Sequence, residues 1–246
     1  MPTLKQNLLA EFIGSMFLVV VAIASTILPF NILGGDVALS VLVNAFAVAL
    51  VLFALIETFA SISGAHFNPA VTLSLVVSRD IRPRVAGYYI AAQFAGGFIG
   101  LLAAHLMFYD AMGTLLVVSD TVKTPGTFFA EFIGTFMLVG VIIGCVRGGS
   151  NKTSLAVAFL VGGLLVTTSS TMFANPMVTF NRMFTYAICG IAPGSAVFFI
   201  IAEVLGALAA TVTFCYIFPS RVKDKCDPYD CNKPSLIQLP PTNGRM

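Results

Sequence analysis

Ser63-Gly64-Ala65-His66-Phe67-Asn68-Pro69-Ala70-Val71-Thr72 decides how this chain is read. A shorter relative of it, Phe173-Ala174-Asn175-Pro176-Met177-Val178-Thr179, lies in the other half. Each follows a long apolar segment and opens a stretch too short to cross a bilayer. Proline suits the first turn of a helix, where its missing N–H would have no partner anyway. Asparagine just before it caps the helix start. Two such starts, one per half, point to two half-helices and a pore built from an internal repeat.

The surrounding chain supplies the membrane. Hydrophobic residues make up 58% of it and charged residues 10%, with a mean hydropathy of +0.95. That composition excludes an ordinary soluble domain. About 20 apolar residues are needed per helical span. Six segments qualify, at 10–28, 37–59, 85–108, 128–146, 155–171 and 193–218. The expected fold is an all-α membrane protein with six transmembrane helices and two re-entrant half-helices.

Charge sets the expected orientation. With the N-terminus in the cytosol, Lys5, Arg79, Arg82, Arg84, Arg147, Lys152, Arg221, Lys223, Lys225, Lys233 and Arg245 all lie inside. Only Lys123 and Arg182 fall outside. That bias predicts two cytosolic termini. It also puts the Asn151-Lys152-Thr153 glycosylation pattern inside, where it stays unmodified. No cleavable leader is expected, because the first apolar run lacks a small-residue cleavage site.

A repeat is visible in the residues. Ala10-Glu11-Phe12-Ile13-Gly14-Ser15 returns as Ala130-Glu131-Phe132-Ile133-Gly134-Thr135. Ala92-Gln93-Phe94-Ala95-Gly96 is echoed by Ala202-Glu203-Val204-Leu205-Gly206. The chain therefore divides into a first repeat (1–108), a connecting loop (109–126), a second repeat (127–218) and a cytosolic tail (219–246) expected to be disordered. Three spans per copy is odd, so the second copy sits upside down. Inverted repeats place their site near the midplane, where broken helices meet. Both half-helix N-termini bring positive dipole ends there. The amides of Asn68 and Asn175 are expected to be free to donate into the lumen.

At this point the chain resembles the aquaporin and aquaglyceroporin family over residues 8–218. The resemblance rests on the paired Asn-Pro motifs, their spacing, and Glu11 and Glu131 on the first and fourth spans. It implies that these glutamates bond the re-entrant loops. It implies that Asn68, Asn175, Ala70 and Met177 form the pore midplane and that His66 lines the inner half. The family usually follows its second Asn-Pro-Ala with arginine; here Met177 and Val178 stand instead. By spacing from the asparagines, the other filter positions fall at Val48, Gly163 and Met172. A filter of Val48, Gly163, Met172 and Val178 is wider and more apolar than a strict water filter. Arg182, one turn beyond Val178, has two readings: a displaced vestibule cation, or a side chain snorkelling to the surface. Met177 either narrows the midplane or packs away as a flexible filler.

The implied function is passive passage of water and small neutral solutes such as glycerol, in a homotetramer with one pore per subunit. The ending Asn-Pro-x-Val-Thr-x-x-Arg is similar to a bacterial-type branch and adds metalloids such as arsenite as candidates. A coupled secondary transporter and a non-conducting membrane scaffold are the alternatives. No enzyme constellation, cofactor, metal ligand set or nucleic-acid partner is expected, and the plasma membrane is the expected location. Among other residues, Glu57 is read as sitting at the interface near the cytosolic end of the second span, Glu203 and Gln93 as ties between spans and neighbouring loops, and His105 as an interfacial residue. Cys145, Cys189 and Cys215 read as packing groups. Cys226 and Cys231 lie in the tail, with only a weak metal signal.

Overall fold

The computed structural model describes residues 2–219, and these are entirely helix and loop. The tail beyond them, with Cys226 and Cys231, lies outside the described residues. Helix α1 (Leu4–Ile27) runs into a π-helical turn at Leu28–Ile32 and is followed by α2 (Val37–Ser63), α3 (Pro69–Val77) and α4 (Pro83–Leu106). A single turn, α5 (Tyr109–Met112), precedes α6 (Pro125–Gly148), α7 (Thr153–Thr167), α8 (Pro176–Arg182) and α9 (Pro193–Ile217). Five of these helices are long and apolar enough to cross a membrane, and α7 is a shorter apolar helix. The chain is thus an all-α, multi-pass membrane protein.

Most helix ends differ from the sequence reading by a few residues, and two of these differences have a clear local cause. Helix α1 starts at Leu4, six residues before the first apolar run, because Thr3 and Gln6 form a reciprocal capping box. The fifth apolar segment, expected to run to residue 171, leaves the helix after Thr167. Thr168 Oγ1 donates to the Leu164 carbonyl at 2.7 Å and accepts from Met172 N–H at 3.0 Å. That turns the chain inward toward Asn175.

Packing follows the repeat. Helix α1 lies on α4 and α6 lies on α9, while α2 faces α7 across the molecule. Small residues make the first two contacts close. A Cβ on Gly96 would stand 2.1 Å from the Phe12 carbonyl oxygen, and one on Gly206 would stand 2.4 Å from that of Phe132. The short helices α3 and α8 are buried between these pairs. Glu57, read as an interfacial residue, instead ties two spans, accepting from the Ser154 hydroxyl of α7.

One further tie joins the halves at the end where α3, α6 and α9 finish. Arg147 donates to the Phe218 carbonyl at 2.9 Å and pairs with Asp80 at 3.5 Å. Burial pushes the Asp80 carboxyl above its usual range, while the Ser78 hydroxyl and Arg147 pull it back.

Candidate pore and its lining

The two Asn-Pro motifs meet. Asn68 and Asn175 are extended in backbone and cap α3 and α8 as their sequence predicts. Asn68 Oδ1 accepts from Ala70 N–H at 2.8 Å, and Asn175 Oδ1 accepts from Met177 N–H at 3.1 Å. Their amide nitrogens then cross over. Asn68 Nδ2 donates to the Ala174 carbonyl at 2.7 Å, and Asn175 Nδ2 donates to the Phe67 carbonyl at 2.9 Å. This corrects the expectation of fully free amides. One hydrogen of each amide ties the loops together, and the second is left for the lumen.

The loops before the motifs are wound unusually. Ala65, Phe67, Thr171, Met172 and Ala174 all have positive φ, at 50°, 47°, 57°, 23° and 47°. Non-glycine residues adopt that conformation only when their surroundings hold them. Ser63 holds the Ala65 N–H and Thr168 those of Thr171 and Met172, while two fully buried glutamates hold Phe67 and Ala174. Glu11 accepts from His66 N–H at 3.0 Å, Phe67 N–H at 2.8 Å, the Ser63 hydroxyl at 2.6 Å and Gln93 Nε2 at 2.8 Å. Glu131 accepts from Phe173 N–H at 2.9 Å and Ala174 N–H at 2.7 Å. The loop N–H groups are thereby spent on the protein.

A cavity at this junction is lined by residues of both halves. It offers about 80 Å³ to the centre of a water-sized molecule, room for several waters. Its apolar wall comes from Leu18 and Ala22 of α1, Leu138 and Ile142 of α6, Val48, Leu52 and Ile56 of α2, and Val157, Val161 and Leu165 of α7. Its polar groups are His66, Asn68, Asn175, Thr153 and Arg182. No carboxylate lines it among the described residues.

Some of the expected lining residues are brought together and some are not. Val48, Met172 and Val178 line the cavity. Gly163 does not: it is exposed, and the lining positions of α7 are Val157, Val161 and Leu165, on the opposite side of the helix. Counting back from Asn175 misplaced it, because the helix ends early and the loop takes up the difference. The missed signal is periodic: Val157, Val161 and Leu165 repeat the four-residue spacing of Val48, Leu52 and Ile56. Ala70 and Met177 are also buried but off the cavity. Met177 packs its sulfur over Gly97 of α4, so the packing reading is the correct one. His66 lines the cavity; its Nδ1 lies 3.1 Å from Thr72 Oγ1, and its Nε2 has no protein partner.

Arg182 belongs to the wall. It is 2% exposed, and its Nη2 donates to the Ala22 carbonyl at 3.0 Å. Its guanidinium carbon sits 4.2 Å from the centre of the Phe173 ring, a cation–π distance. Nε and Nη1 have no protein acceptor. Lys123 approaches the same ring at 5.8 Å. Burial holds its ammonium below the usual lysine range, and the charge of Arg182 adds to that. Phe173 and Lys123 gave no signal in the sequence.

His105 is corrected too. It is fully buried rather than interfacial. Its ring nitrogens lie 2.6 Å from the Leu115 carbonyl and 2.8 Å from Thr185 Oγ1, and its ring stacks on Tyr186. It fastens the connecting loop over the Arg182 end, where Ser119 N–H also donates to the Met183 carbonyl at 2.8 Å.

Membrane-crossing helices around a mixed polar and apolar conduit define a pore protein. The profile of the Major intrinsic protein family matches residues 1–174. Aquaglyceroporin AqpS of Rhizobium meliloti (strain 1021) is 36% identical over 220 residues, 89% of this chain and 93% of that protein. The probable aquaporin AqpM of Archaeoglobus fulgidus is 30% identical, over 87% of this chain and 98% of that protein. The X-ray structure of the aquaglyceroporin from Plasmodium falciparum shares the fold, with a TM-score of 0.69 at 19% identity, over 86% of this chain and 96% of that one. This chain belongs to the major intrinsic protein family, and it is a passive channel for water and small glycerol-like solutes.

Proposed function

We propose that the cavity is the conduction path and that it is tuned to uncharged solutes of glycerol size. The observation that carries this is the composition of its wall. His66 and the two asparagines offer hydrogen bonds, and branched apolar residues make up most of the rest of the wall. A hydroxyl-bearing solute keeps a partner for its oxygens while its carbons slide along the apolar side. Asn68 and Asn175 act at the midplane, His66 at the inner half, and Glu11 and Glu131 as loop supports. The outer constriction is Val48, Leu165, Met172 and Val178, capped by Arg182.

Cation exclusion falls to Arg182, Lys123 and the N-termini of α3 and α8. Exclusion by an arginine and by half-helix dipoles is a known device of aquaporin-type pores. Six spans and two re-entrant half-helices are assembled as an inverted repeat, 1–108 and 127–218, joined by 109–126. Both termini face the cytosol of a plasma membrane, and four copies assemble with one pore each. Arsenite is a candidate solute on the strength of the Val178 and Arg182 pattern. A cavity wall without carboxylates among the described residues argues against a coupled transporter, and membership of a channel family argues against a scaffold.

Stopped-flow light scattering on proteoliposomes tests this, comparing water, glycerol, urea and arsenite. Water and glycerol flux above that of protein-free liposomes is expected. Rates equal to bare lipid for both would overturn the reading.

The constriction has its own test. Val178→Arg adds a second guanidinium one turn inward of Arg182. Glycerol flux is expected to fall about tenfold, and water flux by roughly threefold or less, since a narrowed site discriminates by about 1–3 kcal/mol. Equal loss of both would reject the placement of Val178.

A further inference from the structure

Glu203 is the buried acid that the conduction path leaves unused. It sits on α9 and is fully buried. Two close helix contacts fix its surroundings. In the first half Gly96 lies on Phe12, and three residues before Gly96 the Gln93 amide donates to Glu11, the neighbour of Phe12. In the second half Gly206 lies on Phe132, and three residues before Gly206 stands Glu203. The neighbour of Phe132 is Glu131, and the two carboxyls are within hydrogen-bonding reach. An acid occupies the place that an amide occupies in the other half.

The amide has a definite task there. Gln93 Nε2 lies 2.8 Å from Glu11 and 3.0 Å from Thr72 Oγ1, and Thr72 Oγ1 donates to the Asn68 carbonyl at 3.0 Å. In the second half, Thr179 Oγ1 donates to Glu203 Oε1 at 2.6 Å, the Asn175 N–H also approaches the carboxyl, and Glu203 Oε2 has no hydrogen-bond partner of its own. Two ionised carboxylates at that distance, away from water, repel each other and lack a bonded cation. The charge of Arg182 reaches Glu131, but its hydrogen bond goes to the Ala22 carbonyl and it bonds neither carboxyl. Only a protonated carboxyl can donate as an amide does.

We infer that Glu203 carries a proton and donates it to the Glu131 carboxylate, reproducing the Gln93 to Glu11 hydrogen bond. Glu203 is a positioning residue. It steadies Glu131, which holds the Phe173 and Ala174 N–H groups and so sets Asn175 at the crossing. The like-charge conflict is removed by one proton rather than by a counter-ion.

Infrared spectroscopy of the purified full chain, in water and in heavy water, reads this directly. The carbonyl stretch of a neutral, hydrogen-bonded carboxylic acid is expected at neutral pH and is lost in Glu203→Gln. Glu203→Gln is expected to keep water flux within about twofold, because the amide donates in the same place. Glu203→Leu, which cannot donate, is expected to lower flux by about tenfold, the scale of one buried charge left short of a partner. A wild-type spectrum without the acid band, or loss of an ionised carboxylate band in Glu203→Gln, overturns the inference. Gln93→Glu covers the case in which Glu203→Gln does not fold. It should add a second acid band, and an added ionised band instead counts against the inference. The spectrum needs no solute, so its outcome is separate from that of the flux assays.

Discussion

Glu11→Gln is expected to destabilise the protein, and Glu131→Gln to be tolerated. The two glutamates occupy equivalent places but distribute their hydrogen bonds differently. At Glu11 the loop N–H groups go to different oxygens, His66 to Oε1 and Phe67 to Oε2. A glutamine has one oxygen, so one of these buried N–H groups must face an NH₂ group. Ser63 and Gln93 also compete for the remaining oxygen. At Glu131 the Phe173 N–H reaches both oxygens, at 2.9 Å and 3.1 Å, and the Ala174 N–H reaches Oε2. One oxygen placed at Oε2 serves both. The new NH₂ group then has Glu203 beside it as an acceptor, so the pair reads as glutamine and glutamate in reversed order. An orphaned buried donor costs about 1–3 kcal/mol, which is the expected difference between the two variants. Glu11→Leu, which strands every donor, is expected to cost about 3–5 kcal/mol, the scale seen when one partner of a buried charged interaction is removed. Melting temperature in detergent and the fraction recovered monodisperse would measure all three. Equal loss in Glu11→Gln and Glu131→Gln would show that the oxygen-by-oxygen assignment does not control loop stability.

That asymmetry bears on what could be read before the fold was known. The capping asparagines and the prolines were legible because each acts on its own next few residues. The glutamates were legible because they recur at one spacing and have no water to face. Apolar length gave the spans. In each case the physics is local or periodic, so a one-dimensional string carries it.

The rest depended on three-dimensional placement. Gly163 was assigned by counting along a segment whose helix ends early at Thr167, and a displacement of two residues turns a helix position to the opposite side. The crossing bonds of Asn68 and Asn175 join residues more than a hundred positions apart. Nothing local to either motif announces them. His105, Lys123 and Phe173 owe their places to the connecting loop folding over the Arg182 end. Arg182 had two readings in the sequence because its helix face was known but not what covered it. Phe173 and the Ala22 carbonyl decide the matter.

Gly97→Ala is expected to be rescued by a change at Met177, and Gly96→Ala by none. A Cβ on Gly97 would stand 2.3 Å from Met177 Sδ and 2.6 Å from Asn181 Nδ2, the ends of two side chains. A Cβ on Gly96 would stand 2.1 Å from the Phe12 carbonyl oxygen and 2.8 Å from its carbon, which are backbone. The corresponding positions in the other half carry Ala207, Ala70 and Ser74 in place of Gly97, Met177 and Asn181. Volume has moved as a set: a larger α8 residue faces a smaller α4 residue. Gly97→Ala alone overpacks the site, at a cost of about 1–3 kcal/mol. Met177→Ala alone opens a cavity, at about 2–5 kcal/mol. Together they approach the arrangement of the other half, so the double variant should be more stable than the sum of the singles by roughly 0.5–3 kcal/mol. Adding Asn181→Ser completes the set and should not lose that gain. Because Met177 is off the cavity wall, the double variant is also expected to keep the wild-type ratio of glycerol to water flux. Additive melting losses would show that Met177 and Gly97 do not share one space. A changed flux ratio would place Met177 in the lumen, against its packing over α4.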